Sequence, residues 1–588
     1  MSEDAAWRRR FSAVSMSLPE WARDAPDRML LLSNERGGKF ELHAWDRAAG
    51  WRRQVTDRPT GTPLGRLDPA GRTVWWFDDD RGSEHGVWMA EPFEGAGGGA
   101  VPAAPGVEPG YTAGLALGGG FAVVGTSTDD GSRLWRCEAG AAPRLLYRHR
   151  EDAGVGSLSR DDRLLAMWHS EHGDSRHRAL RVLDGRGQAV ADLADGPGLG
   201  LEAGPWSPVP GDARLLVTHE RTGRRRPAVW APEAGSLTDL LLDLAGDVHA
   251  VWYPDAAALL LRHDDRGSSQ LYRYDLAGRR AERLPTPPGS IAAAAVHPDH
   301  GVWYEHSSGA LPPRLLEDGR TLLERDGPAP PAGAPYRELV AGQVRGFLVE
   351  PAGDRPHPTV LLVHGGPHFH DRDAWSPPVQ AWVDHGFAVA LVNYRGSTGH
   401  GRDWRDALEG NPGLTELEDV RAARDHLVAA GVADPARLVL AGGSWGGYLT
   451  LLGLGRQPDA WSLGVAVVPV ADYVAAYEDE MEPLRAFDRS LFGGSPAERP
   501  EFYRERSPIT CAERLRVPVL VMAGRNDPRC PIRQIRRYLA RLAELGRPYE
   551  LYEFDAGHSS LVVAERIRQL ETQVDFVHRH LGTPAPRQ

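Results

Sequence analysis

Three residues far apart in the chain, Ser444, Asp527 and His558, have the types and the chain order that acyl transfer needs. A serine hydroxyl attacks a carbonyl, an imidazole takes its proton, and a carboxylate orients the imidazole. Ser444 sits in Gly442-Gly443-Ser444-Trp445-Gly446-Gly447-Tyr448, directly after the apolar run Arg437-Leu438-Val439-Leu440-Ala441. That is G-x-S-x-G at the end of an expected strand, a tight turn that lifts the hydroxyl out of a sheet. A side chain at Gly442 or Gly446 would clash where the chain doubles back. Asp527 follows the expected strand 518–523, and His558 follows the expected strand 549–554. The order Ser, Asp, His is that of an α/β-hydrolase.

Acyl transfer also needs donors for the developing oxyanion. The backbone N–H of Trp445, the residue after the nucleophile, is one. Gly366 in His364-Gly365-Gly366-Pro367, after the expected strand 359–363, is the other. Asp555 is closer to His558 in sequence, yet a residue three positions away is poorly placed to reach Nδ1, so Asp527 is the expected acid. Cys530 is read as a packed thiol. Any one of these residues alone has an ordinary structural explanation; four strand-end motifs in the right order make coincidence a poor account.

The elements that must position these residues lie in two halves of different rhythm. The first half repeats short apolar strands separated by polar glycine turns, among them Asp80-Arg81-Gly82, Asp129-Asp130-Gly131, Glu171-His172-Gly173 and Asp265-Arg266-Gly267. Their spacing of about 40 to 50 residues is that of a four-stranded propeller blade. Seven such turns predict seven blades. Ser-Glu-His-Gly occurs twice, at Ser83 and Ser170, and is read as a repeated turn and not as a metal site. Residues 326–335 are a Pro/Gly/Ala linker. Beyond it strands and helices alternate, which predicts a mostly parallel, doubly wound sheet covered on both faces. The expected helices are 417–430, 447–456, 532–545 and 563–581, and strands are also expected at 388–393, 437–441 and 463–468. The expected division is an N-terminal extension over 1–26, helical and packed on the second domain, a seven-bladed β-propeller over 27–324, a linker over 325–336, and an α/β-hydrolase domain over 337–588.

With 588 residues the chain exceeds one ordinary core. A formal net charge of -12 argues against a nucleic-acid partner. No apolar run is long enough for a bilayer, and the first residues lack the apolar core of a signal peptide. Three scattered cysteines offer neither a disulfide framework nor a zinc site. A cytoplasmic protein without metal or organic cofactor is expected, its oligomeric state open, a homo-oligomer included.

The chain resembles the prolyl oligopeptidase family of serine peptidases along nearly its whole length, and looks most like the acylaminoacyl-peptidase branch. The motifs are His364-Gly365-Gly366-Pro367, Asn393-Tyr394-Arg395-Gly396-Ser397-Thr398-Gly399, Gly442 to Tyr448, Asp527-Pro528-Arg529 and Gly557-His558. The resemblance implies a propeller capping the hydrolase domain, a site in the cavity between them, and short peptide substrates, N-acylated ones included. The prolyl-specific branch has a tyrosine-type oxyanion loop, and dipeptidyl-peptidases carry an adjacent Glu-Glu pair in the propeller; this chain has neither. The resemblance further implies that Arg529 binds a substrate carbonyl or carboxylate, or instead braces the Asp527 loop. It also implies that Tyr473, Tyr477 and Phe487 line the first specificity pocket, in a stretch made acidic by Glu478, Asp479, Glu480 and Glu482. Two other readings stay open: an esterase or acyl-transfer enzyme on a non-peptide metabolite, and a propeller interaction protein with an inactive hydrolase domain.

Overall fold

The computed structural model describes residues 5–95 and 99–582. Antiparallel sheets fill the first half, arranged as a propeller. Five four-stranded sheets occupy residues 20–54, 153–193, 201–239, 247–283 and 290–321, and one eight-stranded sheet occupies 65–149. The expected count of seven blades is therefore corrected: five separate four-stranded sheets are found among the described residues. The difference arises where strands His85–Pro92 and Gly110–Gly118 pair through His85↔Tyr111 and Gly86↔Gly110, which fuses two sets of strands. Two facing glycines let the backbones approach closely enough to bond. The polar glycine turns do close hairpins, as at Thr128↔Gly131 and Asp265↔Ser268. Apolar side chains fill the space between successive sheets: Leu164, Leu180 and Val182 from one meet Trp206, Val217 and Trp230 of the next.

The second half is one eight-stranded sheet. Its strands are β1 (Arg337–Ala341), β2 (Val344–Val349), β3 (His357–Val363), β4 (Ala388–Asn393), β5 (Ala433–Gly443), β6 (Leu463–Val467), β7 (Val519–Gly524) and β8 (Tyr549–Phe554). The spatial order is β1-β2-β4-β3-β5-β6-β7-β8, antiparallel up to the β2–β4 pair and parallel from β4 onward. All six residues of β4 and of β7 are buried, as expected of strands covered on both faces. Alternation divides β5 between two cores: Leu438 and Leu440 face one, Val439 and Ala441 the other. A short helix, Ala6–Ser12, sends Trp7 and Phe11 into the second core beside Trp382, Leu570 and Val574.

The two halves are tied by ion pairs. Arg405 meets Glu220, Arg176 meets Glu409, Arg489 meets Glu151, and Arg485 meets Asp129. These contacts gather around the carboxyl ends of the parallel strands, where open α/β sheets place their ligands.

Candidate active site

Ser444 follows β5 and precedes the helix Trp445–Arg456, with φ 55° and ψ -120°. Positive φ at a residue with a side chain is strained backbone. The turn can close this tightly because the residues two places to either side are glycines: a Cβ on Gly442 would lie 2.6 Å from the Val363 carbonyl oxygen, and one on Gly446 2.0 Å from it. The Ser444 N–H donates to the Val467 carbonyl at 2.9 Å, tying the turn to β6.

Asp527 and His558 come together from the loops after β7 and β8. Asp527 Oδ2 lies 2.8 Å from His558 Nδ1. The other carboxylate oxygen accepts the N–H groups of Arg529 at 2.9 Å and Cys530 at 3.0 Å. A carboxylate held on three sides cannot turn away from the imidazole. The two loops are also bonded to each other, Arg525 N–H to the Phe554 carbonyl at 3.0 Å and Asn526 N–H to the Ala556 carbonyl at 3.1 Å. Asp555 is exposed and accepts from the Asn526 side chain instead of the imidazole. The Cys530 thiol is buried, and burial pushes it well above the usual thiol range, which leaves it inert. Among the described residues the Ser444 hydroxyl has no hydrogen-bond partner, so the serine–imidazole leg is open while the imidazole–carboxylate leg is closed.

The His364-Gly365-Gly366-Pro367 loop stands against the serine. A Cβ on Gly365 would be 3.3 Å from the Ser444 Cβ, and Gly366 adopts φ 126°, a conformation open to glycine. Trp445 N–H belongs to the first turn of its helix, where backbone donors have no intrahelical acceptor. The Asn-Tyr-Arg-Gly-Ser block braces this loop. Tyr394 stacks on the His364 ring at 4.2 Å and donates to the His364 carbonyl at 3.0 Å. Ser397 Oγ meets His364 Nε2 at 2.8 Å. Asn393 bonds the backbone of Asp371 on both sides, and Arg395 reaches Asp419. Burial lowers His364 to about 4, so its ring is neutral at pH 7. Next to Ser444 in the chain, the Trp445 indole donates to Glu416 at 3.1 Å, and burial raises that carboxyl to about 8.

The remaining expected residues part company. Arg529 is held by both carboxylate oxygens of Glu84, at 2.7 and 2.9 Å, across the junction of the two halves. Phe487 lines a cavity of about 420 Å³ and packs edge-on against His368 at 5.9 Å. The Tyr477 hydroxyl accepts from Arg489 at 2.9 Å. Tyr473 is instead core: it is 2% exposed and ringed by Trp445, Tyr448, Phe492 and Tyr503. The acidic stretch is divided too. Glu478 and Asp479 pair with Arg533, Glu482 with Arg489, and Glu480 is buried beside Asp488.

Sequence reasoning missed the propeller's share of the site. His558 opens on a second cavity, about 360 Å³, whose walls include Glu84, Tyr111, Leu64, Met481 and Arg529. Gly82 touches the His558 loop directly: a Cβ there would lie 2.7 Å from Gly557 N. The repeated Ser-Glu-His-Gly was the available signal, since its first copy carries Glu84. In the second copy, ligand atoms of His169, His172 and Asp192 lie within 4.8 Å of one another. Their surroundings fit a hydrogen-bonded turn better than a cation: Glu171 N–H donates to His169 Nδ1 at 3.2 Å, leaving the ring proton on Nε2 towards Asp192, and Arg181 already holds that carboxylate. His219, Asp239 and Arg221 repeat the arrangement in the next sheet.

An α/β-hydrolase sheet with an elbow serine and an Asp–His pair at its strand ends defines a serine hydrolase scaffold. Residues 375–584 match the prolyl oligopeptidase family, and the chain carries a domain of that family. Over 232 residues the chain is 32% identical to the acylamino-acid-releasing enzyme of Rattus norvegicus, covering 38% of this chain and 32% of that one. Over 186 residues it is 36% identical to dipeptidyl aminopeptidase BIII of Pseudoxanthomonas mexicana, covering 30% and 26%. The alignments thus span about a quarter to a third of those relatives' length. The crystal structure of a puromycin hydrolase superposes with a TM-score of 0.80 over 99% of this chain and 97% of that one, at 24% identity, which establishes likeness of fold.

Proposed function

We propose that the protein is a serine peptidase that cleaves short peptides, N-acylated ones among them, through an acyl-enzyme on Ser444. The observation that carries this reading is the 2.8 Å contact between His558 Nδ1 and the buried Asp527, together with the strained backbone of Ser444 at the elbow. With its Nδ1 proton committed to Asp527, the imidazole keeps its Nε2 lone pair to take the Ser444 proton and return it to the leaving amine. Asp527 stabilises the imidazolium so formed. The N–H groups of Gly366 and Trp445 receive the oxyanion, a task for fixed donors that need no reorganisation. Arg529, steered by Glu84, and Phe487 contact the substrate on either side.

In this reading a propeller over 27–324 covers a hydrolase unit over 337–588, with 325–336 as linker and 1–26 as an extension packed on the hydrolase unit. The cover admits short chains and turns away folded proteins. Peptide substrates agree with the similarity to an acylamino-acid-releasing enzyme. Among the described residues no helix is long and apolar enough to cross a membrane, and all three cysteines are free; a cytoplasmic location fits the free thiols. The test compares wild type with Ser444→Ala on acetyl-aminoacyl and free aminoacyl p-nitroanilides and on p-nitrophenyl esters. Loss of amide cleavage in the variant, with unchanged circular dichroism, is the expected result. Turnover of esters alone by the wild type would replace the peptidase by an esterase.

A further inference from the structure

The cavity at the joint between the N-terminal segment, the chain after the last propeller strand and the helix Val563–Leu581 has an uncompensated positive lining. It measures about 390 Å³, and none of Ser444, Asp527 or His558 lines it. Arg566 projects from the helix into this space. Its guanidinium lies over the rings of Phe11 and Phe40, at 5.8 and 5.7 Å, and has no carboxylate or hydrogen-bond acceptor among the described residues. Arg314, which lines the same cavity, has no side-chain acceptor among them either. Arg325 has a single backbone carbonyl, that of Pro313. Arg10 is already bound to Asp384. The one carboxylate in the lining, Glu324, is exposed.

Three cations thus face one solvated anion. A desolvated guanidinium with no counter-charge is unfavourable, and an anion bound between these arginines would relieve it. The contrast with the 420 Å³ cavity is direct. There Arg176, Arg178, Arg225 and Arg405 also line the wall, and each is matched by a carboxylate: Glu409, Asp152, Glu202 and Glu220. Apolar side chains, Met16, Leu315 and Trp375, line the cavity with the two phenylalanines, and Ser15 and Thr321 are its uncharged polar members. Its volume is that of a small-metabolite pocket and far exceeds the needs of an inorganic ion.

We propose that this cavity binds a small organic anion, a carboxylate carried on an apolar or aromatic body, with Arg566 and Arg314 as its counter-charges and the Phe11 and Phe40 rings against its body. The site is independent of the reaction at Ser444. A ligand there touches the N-terminal segment, the connection between the two halves and the hydrolase surface at once, so it binds the joint together.

Isothermal titration of the full chain with 4-phenylbutyrate, its neutral amide 4-phenylbutyramide, and inorganic phosphate tests the proposal. The carboxylate is expected to bind one site with a Kd below about 1 mM at low salt. Binding weakens as salt rises, and the amide binds at least about tenfold more weakly, the loss of one charge-assisted pairing. Arg566→Gln should weaken the carboxylate about tenfold, and Arg314→Gln, at an exposed position, about threefold. Should Arg566→Gln fail to fold, Arg314→Gln decides. Equal affinity for acid and amide, phosphate binding more tightly than the carboxylate, or undiminished binding in a folded Arg566→Gln or Arg314→Gln protein would overturn it.

Discussion

Gly557→Ala should disable the site without touching a reacting atom. A Cβ on Gly557 would lie 1.8 Å from the Gly82 carbonyl oxygen and 2.6 Å from its carbon. Both are backbone atoms and cannot swing aside as a side chain would. Ordinary contact near ~3.2 Å requires a displacement of roughly 1.4 Å. Retreat is blocked as well, because the Gly557 carbonyl already packs against Gly524, where a Cβ would sit 2.1 Å away. His558 is the next residue, so the displacement passes to the imidazole. A 2.8 Å bond to Asp527 lengthened by that amount is no longer a hydrogen bond. Misplacement of about 1 Å in a catalytic group costs about a hundredfold in rate, ~2.7 kcal/mol of barrier. The assay is kcat/KM on an acetyl-aminoacyl p-nitroanilide, with the Tm measured alongside and the Nδ1 proton followed by NMR. Gly82→Ala should act in the same direction from the propeller side, since its Cβ would fall 2.7 Å from Gly557 N at φ 85°. Turnover within threefold of wild type in Gly557→Ala, with an intact Nδ1–Asp527 proton signal, would refute the idea that this glycine contact sets the imidazole's place.

Asp527→Asn should lower kcat on the order of 10⁴-fold, because its amide donates where the carboxylate accepted and forces the wrong imidazole tautomer; a loss under tenfold would remove Asp527 from the mechanism. Glu84→Gln should leave stability nearly unchanged, since the Arg529 and Glu84 side chains are 47% and 30% exposed and solvent screens the pair. Its effect belongs in KM, raised a few-fold, and a fall in kcat at constant KM would contradict the substrate-facing role of Arg529. Glu416 supplies a pH test. Its folded carboxyl is raised to about 8 from an ordinary 4.5, so its contribution to stability is whole below 4.5 and is lost as pH rises towards 8. Urea unfolding at pH 5 and pH 9 should therefore show a steeper decline in wild type than in Glu416→Gln, by on the order of a few kcal/mol; equal slopes would place a charged Glu416 in the native protein.

The elbow, the Asp527 and His558 loops and the parallel strands were legible in the sequence for a common reason. Each is a local pattern, a glycine turn at the end of an apolar run, and backbone sterics make such patterns mean the same thing in any context. β4 and β8 lie at 388–393 and 549–554, as read from their residues alone. β1 and β2 went unread because they form an antiparallel hairpin at the sheet's edge, without the strand–helix alternation that marked the rest. The seven-blade count followed from turn spacing, yet spacing says nothing about which strand edges meet; the pairing of Gly86 with Gly110 merged two sets. Tyr473 and Tyr477 stand four residues apart on one short helix, and only the packing of Phe492 and Tyr503 decided that the first is core. Glu84 meets Arg529 across 445 residues, and Arg566 lines one cavity with the chain around Arg314. What the residues themselves determined was the kind of chemistry and the element that carries each group. Which surfaces close on one another, and therefore which charges are answered, was settled only when the two halves came together, because burial and pairing are properties of neighbours in space that no run of sequence contains.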